Sequence, residues 1–265
     1  MTILFLKTWR DHRKSFAAWC FTLILLISIQ MSIYPSILKS KSTLQQFLDA
    51  YPEPIRKIFR MQDYTSGPGF LSTELYSMML PLLLIAVGGT WGAGATAEEE
   101  DDGTADLLLT LPISRNRILI SKMLAAISAI TVLGFMAILN ILLLRHRVGM
   151  EIGTDKLLAA TVSNISIGFF FTGIAFLAGS FSRRKGSAIG VVTGIALITF
   201  LIYSLSALVK NFDSISPYNP MQWGLGGMPL FKGMYISGDL KLLAGGVIFL
   251  VLAVLQFERK DISTP

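Results

Sequence analysis

Along this chain, apolar residues collect into long unbroken runs separated by short stretches rich in charge, glycine and proline. A helix crossing a ~30 Å hydrocarbon core needs about 20 apolar residues. The pattern predicts six such helices, at about 16–38, 75–97, 121–143, 158–180, 187–209 and 240–257. The first run is too long for the apolar part of a signal peptide and lacks a small-residue cleavage site, so it is read as a retained span. The predicted fold is all-α: a polytopic membrane helix bundle, read as a single transmembrane domain over residues 1–265.

Two stretches show helical periodicity without being apolar enough to span. Ile3, Leu6 and Trp9 share one face of a predicted helix, while Lys7, Arg10, Asp11 and Lys14 fall largely on others. That pattern fits a helix lying on the membrane surface, and equally a frayed basic tail that sets topology. Further on, Leu44, Phe47, Leu48, Tyr51, Ile55, Ile58 and Phe59 form a helical stripe interrupted by Pro52 and Pro54. Two short amphipathic helices packed on the outer ends of the bundle are expected there.

Composition agrees with lipid as the solvent. Hydrophobic residues make up 52% of the chain and charged residues 15%, with a mean hydropathy of +0.60, which does not describe a water-exposed surface. The net charge of +6 lies in loops and flanks, where an anionic membrane surface explains it better than nucleic acid does. Lys and Arg divide almost evenly between the two sides. The short flanks decide: Lys7, Arg10, Arg13 and Lys14 before the first run, and Arg183, Arg184 and Lys185 in a tight turn, favour cytoplasmic termini, against Arg145 and Arg147.

Several chemistries are excluded. No Asp, Glu, Lys or Arg falls at mid-depth in the predicted spans, which disfavours a proton or sodium relay. Asn140 and Asn164 are expected to serve as hydrogen-bonding glue between helices. Gly88 with Gly92, and Gly190 with Gly194, have the spacing that lets helix backbones approach, and packing within the chain is expected at both. The single cysteine, Cys20, reads as a small buried hydrophobe. There is no Walker loop, no nucleophile elbow and no zinc-binding histidine pair. Glu98, Glu100, Asp102 and Gly103 imitate the start of a calcium loop, but its twelfth position would be Leu109, not a bidentate glutamate. No cofactor or metal is assigned to this chain.

The loop after that acidic run carries the most information. Thr104 is placed to cap a two-turn helix with Asp106 at its positive end, before Pro112 interrupts it. Leu107, Leu108, Leu109 and Leu111 cannot all face one way, so apolar surface is left for the bundle's own ends or for a partner. Ser114 is placed to cap the following helix, with Arg115, Arg117 and Lys122 at the headgroups.

Glu98, Glu99 and Glu100, then Gly103-Thr104-Ala105-Asp106-Leu107-Leu108-Leu109-Thr110-Leu111-Pro112-Ile113-Ser114-Arg115, resemble the E-E-x-x-G-T-x-x-x-L-L-x-x-P-[VI]-S-R signature of permease subunits of type-2 ATP-binding-cassette (ABC) exporters. Ala105-Asp106 stands where that family commonly has Leu-Glu, which keeps the acid. Ser66-Gly67-Pro68-Gly69-Phe70-Leu71, Ser216-Pro217-Tyr218-Asn219-Pro220 and Phe257-Glu258-Arg259-Lys260-Asp261 also resemble the family.

The resemblance implies a bacterial plasma-membrane permease half with six spans and both termini in the cytoplasm. Its loop between the second and third spans would place a short cytoplasmic coupling helix in a groove of a separate ATPase. It further implies two ATPase copies carrying ATP and Mg, and a second permease half, identical or homologous. Residues 210–239 would form outer half-helices, with Pro217 and Pro220 at a candidate outer gate. The competing reading is a non-transporting membrane immunity or sensor protein that binds a lipid or peptide. Nothing in the sequence selects a transported substrate.

Overall fold

The computed structural model describes residues 1–43, 50, 63–101, 114–182, 184–206, 209, 212 and 214–259, with the backbone alone for 96–101. Each predicted apolar run folds as a helix. Six are long and apolar enough to cross a membrane: Thr2–Lys39, Gly67–Ala95, Arg115–Leu144, Thr154–Phe181, Lys185–Leu205 and Ile236–Arg259, called spans 1 to 6. No strand occurs among the described residues. The amphipathic stripe at 44–59 lies almost wholly outside them.

Span 1 departs from both readings of the N-terminus. Its helix is continuous from Thr2 to Lys39, about 57 Å at 1.5 Å per residue, and so outruns a ~30 Å hydrocarbon core. The first residues extend the span, and Trp9 is packed into the bundle while Ile3 and Leu6 stay exposed.

Span 2 begins earlier than its hydropathy suggests, because a cap and a proline start the helix where the side chains are still small and polar. Ser66 accepts a hydrogen bond from the Gly69 amide at 3.1 Å, and Pro68 sits in the first turn, both helix-starting signals. A π-helical turn over Ser72–Tyr76 follows, and the helix then runs from Met79 to Asp101.

Span 4 is the centre of the bundle, in contact with spans 2, 3, 5 and 6. Within its most apolar stretch 78% of residues are buried by the chain itself, against 17% in span 1 and 22% in spans 5 and 6. A helix surrounded by protein can carry polar side chains that lipid would penalise. Span 4 accordingly buries Thr161, Ser163, Asn164, Ser166, Thr172 and Ser180. Thr161 and Thr172 return their hydroxyl protons to the carbonyls of Leu157 and Gly168, so neither donor is stranded.

Small residues let the neighbours close on this centre. A Cβ on Gly168 would lie 3.0 Å from that of Leu84, and one on Gly173 would lie 2.7 Å from the Gly246 carbonyl oxygen. On the far side of span 4, Ile167, Phe170 and Phe171 pack with Val192, Met221, Leu225 and Leu242 into a second apolar cluster.

The two glycine pairs have different fates. Gly88 and Gly92 press on Thr172, Ala175 and Phe176 of span 4, as their spacing predicts. Gly190 and Gly194 do not pack within the chain, since a Cβ at either would meet nothing within 4 Å. They lie on a span whose Val191, Ile195, Ile198 and Leu201 are also exposed.

Asn140 behaves as helix glue, donating from span 3 to the Ile24 carbonyl of span 1 at 3.1 Å. Asn164 does not: its amide donates to Ala160 in its own helix, and its buried carbonyl oxygen accepts no hydrogen bond. Cys20 is only half-buried, packed beside the core.

Candidate functional site

Among the described residues, the acidic run Glu98–Glu100 and the proline pair Pro217 and Pro220 fall at the two opposite ends of the bundle. At one end, the helix of span 2 carries Glu98, Glu99 and Glu100 in its last turns. Gly103, Thr104, Asp106, Leu107, Leu108 and Pro112 lie outside the described residues. The chain is described again at Ser114, which has the extended backbone of an N-cap residue (φ −65°, ψ 141°) but makes no side-chain capping bond. Its carbonyl does that work instead, accepting from the amides of Arg117 and Ile118. Arg115 opens the helix of span 3.

The helices on either side of this loop are tied together. The Lys122 ammonium donates to the Ala95 carbonyl at 2.8 Å, joining the first turns of span 3 to the last turns of span 2. A charged donor makes a stronger bond to a backbone carbonyl than a neutral one does. Asn116 donates to the Glu258 carboxylate, which brings in the last turn of span 6.

Span 1 joins through its aromatic N-terminal turns. Trp9 stacks edge-on against Phe16 (4.7 Å) and Trp91 (5.4 Å), and the His12 ring lies 4.5 Å from Trp91. The Trp9 indole N–H donates to Ser128 of span 3 at 3.0 Å. Spans 1, 2, 3 and 6 are therefore joined along the turns that lead into and out of this loop. The sequence put Trp9 on one apolar face with Ile3 and Leu6; its partner Ser128 is 119 residues away, so nothing local announces it.

At the opposite end, short helices fill the connection between spans 5 and 6: a 3-10 turn over Ser216–Tyr218, then Pro220–Leu225 and Pro229–Lys232. Pro217 lies in the first of these and Pro220 opens the second, where a missing amide proton costs nothing. Asn219 organises the corner. Its side chain accepts from the Met221 amide at 2.9 Å and donates to the Thr199 carbonyl of span 5 at 2.8 Å. Trp223 adds an indole bond to the Pro217 carbonyl. Asn directly before Pro, at a helix start, was the available signal for this cap.

Two carboxylates at this end went unnoticed in the sequence, because the helices of spans 2 and 6 begin before their hydropathy rises. Glu74 sits in the π-helical turn and accepts from the Tyr64 hydroxyl at 2.7 Å and the Gln30 amide at 3.2 Å. Burial and the Glu74 carboxylate both push the Tyr64 phenol well above its ordinary range. Asp239 lies buried in the first turn of span 6. No cluster of three or more His, Cys, Asp or Glu that could hold a metal ion occurs among the described residues.

Comparison with known proteins gives this arrangement its class. The family described as "ABC-2 family transporter protein" matches residues 2–262. The chain belongs to that family, and is a multi-pass membrane subunit of a bacterial ABC transporter. It is similar to a probable ABC transporter permease protein NosY of Pseudomonas aeruginosa, 29% identical over 195 residues that cover 70% of each chain. A probable NosY permease of Stutzerimonas stutzeri is 30% identical over 167 residues, covering 59% of this chain and 58% of that one.

Proposed function

We propose that this protein is the permease half of an ATP-driven exporter, with hydrolysis carried out by a separate ATPase that docks on the loop between spans 2 and 3. The observation that supports it most is the bracing of that loop's two ends. The Lys122 to Ala95 bond and the aromatic packing of Trp9 on Trp91 join three spans there, so force applied to the loop would move helices together. The loop itself offers leucines to a partner and carries a helix-starting Thr104 and Asp106.

In this reading Glu98, Glu99, Glu100 and the segment Gly103 to Arg115 form the coupling element. ATP and Mg belong to the ATPase, present in two copies, since this sequence has no phosphate-cradling loop. A second permease half, identical or homologous, seats on span 5, where Gly190 and Gly194 leave room for a close helix approach. The termini and the coupling loop face the cytoplasm, and the half-helices around Pro217 and Pro220 face outward as the exit gate.

The deciding experiment is affinity purification from native membranes of the wild type and of a Leu107→Asp, Leu108→Asp variant. An ATPase with a Walker loop accompanies the wild type and is lost from the variant, because docking would bury two unpaired charges. Wild-type recovery of the ATPase by the variant sinks the docking assignment. Its absence from intact wild-type preparations sinks the reading of a stably docked, separate ATPase.

A further inference from the structure

Among the described residues, Asp239 is a buried acid whose charge nothing answers. It is 6% exposed, and neither carboxylate oxygen accepts a hydrogen bond. Ser163 of span 4, fully buried, is the side chain that faces it closely enough to act on its charge. The two do not close a bond, and the Ser163 hydroxyl has no other partner. The third wall is the half-helix Pro220–Leu225, whose Trp223 carbonyl and the Tyr235 ring press on Gly238, leaving no room there for a Cβ.

No cation among the described residues bonds either carboxylate oxygen. Lys156 lies beside Asp155 and Gly233, and Lys241 stands over the Trp223 ring at 5.9 Å. The N-terminus of span 6 contributes roughly half a positive charge to an acid in its first turn. That is a genuine stabilisation, but it leaves about half of the unit charge unanswered, and no amide of that turn bonds the carboxylate. An isolated buried carboxylate costs several kcal/mol and is ordinarily paired or ligated.

We propose that Asp239 and Ser163 form a binding site for one small monovalent cation, either sodium or the ammonium group of a primary amine, beneath the half-helices. Charge favours the lowest valence: with the helix dipole answering part of the carboxylate's charge, a monovalent ion leaves less excess in an apolar surround than a divalent one. The donor set agrees. Carboxylate and hydroxyl oxygens suit hard cations, and their number falls short of the six to eight oxygens that calcium takes. Soft metals prefer sulfur or imidazole, whereas the two groups proposed here, a carboxylate and a hydroxyl, supply oxygen alone. The site stands independently of the transport reading, since it involves no residue of the coupling loop.

The test is thermal unfolding of the full-length protein in lipid nanodiscs, titrated with sodium chloride, methylammonium chloride or N-methylglucamine chloride at matched ionic strength. The midpoint should rise saturably with sodium or with methylammonium and not with the bulky N-methylglucamine; which of the two acts identifies the source of the charge. Ser163→Ala should raise the half-saturating concentration about tenfold, the effect of losing one bond to a charged partner. Asp239→Asn should abolish the dependence without lowering the midpoint in N-methylglucamine. Identical wild-type curves in all three salts overturn the proposal without reliance on any variant, and an unchanged half-saturation in Ser163→Ala overturns the role of Ser163.

Discussion

Gly88 of span 2 and Thr172 of span 4 share one volume: a Cβ on Gly88 would overlap the Thr172 hydroxyl, which is itself fixed by its bond to Gly168. One turn on, a Cβ on Gly92 would lie 2.8 Å from that of Ala175. Neither neighbour can yield cheaply, because both belong to the most buried helix in the bundle. Gly88→Ala and Gly92→Ala should each destabilise the protein by about 1–3 kcal/mol, the usual cost of overpacking. Gly190→Ala, facing open space, should leave the thermal stability of the isolated chain unchanged. Melting of the three variants in one detergent checks the contrast.

Tyr64 donates to Glu74 from outside the span while Gln30 donates from span 1, so one carboxylate holds three segments. Tyr64→Phe should cost about 1–3 kcal/mol by leaving a carboxylate oxygen without its donor. The phenol's raised pKa sets the sign of the pH dependence. The contact's stabilisation is full below the ordinary tyrosine range near 10 and is lost only as pH climbs toward the higher folded value. In an ultraviolet titration Tyr64→Phe should remove amplitude only at the most alkaline end. Loss of amplitude in the ordinary range would show that the phenol is not held by Glu74.

Spans 3 and 4 were legible from hydropathy to within one residue at their C-terminal ends, while their helices start at Arg115 and Thr154, several residues before the apolar signal. Spans 2 and 6 were legible as spans but not in their first turns. Ser66 with Pro68 starts a helix across polar residues, and Asp239 is taken into a bundle whose polar centre, span 4, reads as merely apolar in sequence. The glycine spacing identified close packing at Gly88 and misassigned Gly190, since spacing shows that a helix can approach another but not which one. The Pro217 and Pro220 break was readable; that Asn219 ties it to Thr199 was not, because the acceptor is a backbone carbonyl 20 residues earlier.

Asn219 separates two functions that one residue performs. Its carbonyl oxygen caps the Pro220–Leu225 helix, and its amide protons reach span 5. Asn219→Ala removes both and should cost about 1–2 kcal/mol from the cap alone. Asn219→Asp keeps the cap and loses the donor to Thr199, so it should retain the cap energy while freeing the half-helices from span 5. Hydrogen exchange would detect this as faster exchange in 214–235 with spans 1 to 4 unchanged. Equal behaviour of the two variants would mean that the bond to Thr199 carries none of the coupling.

Membrane orientation links the charge pattern to the proposed docking, and it can be tested without knowing any substrate. With cytoplasmic termini, the turn holding Arg147 faces outward and the turn holding Lys185 faces inward, so the positive flanks lie mostly inside. In a Cys20→Ser background, Arg147→Cys should react with a membrane-impermeant maleimide in intact cells. Lys185→Cys should react only after permeabilisation. The opposite pattern would put the Glu98 to Arg115 segment outside the cell, where no ATP-fuelled partner could reach it. It would remove the coupling reading and leave the six-span fold untouched.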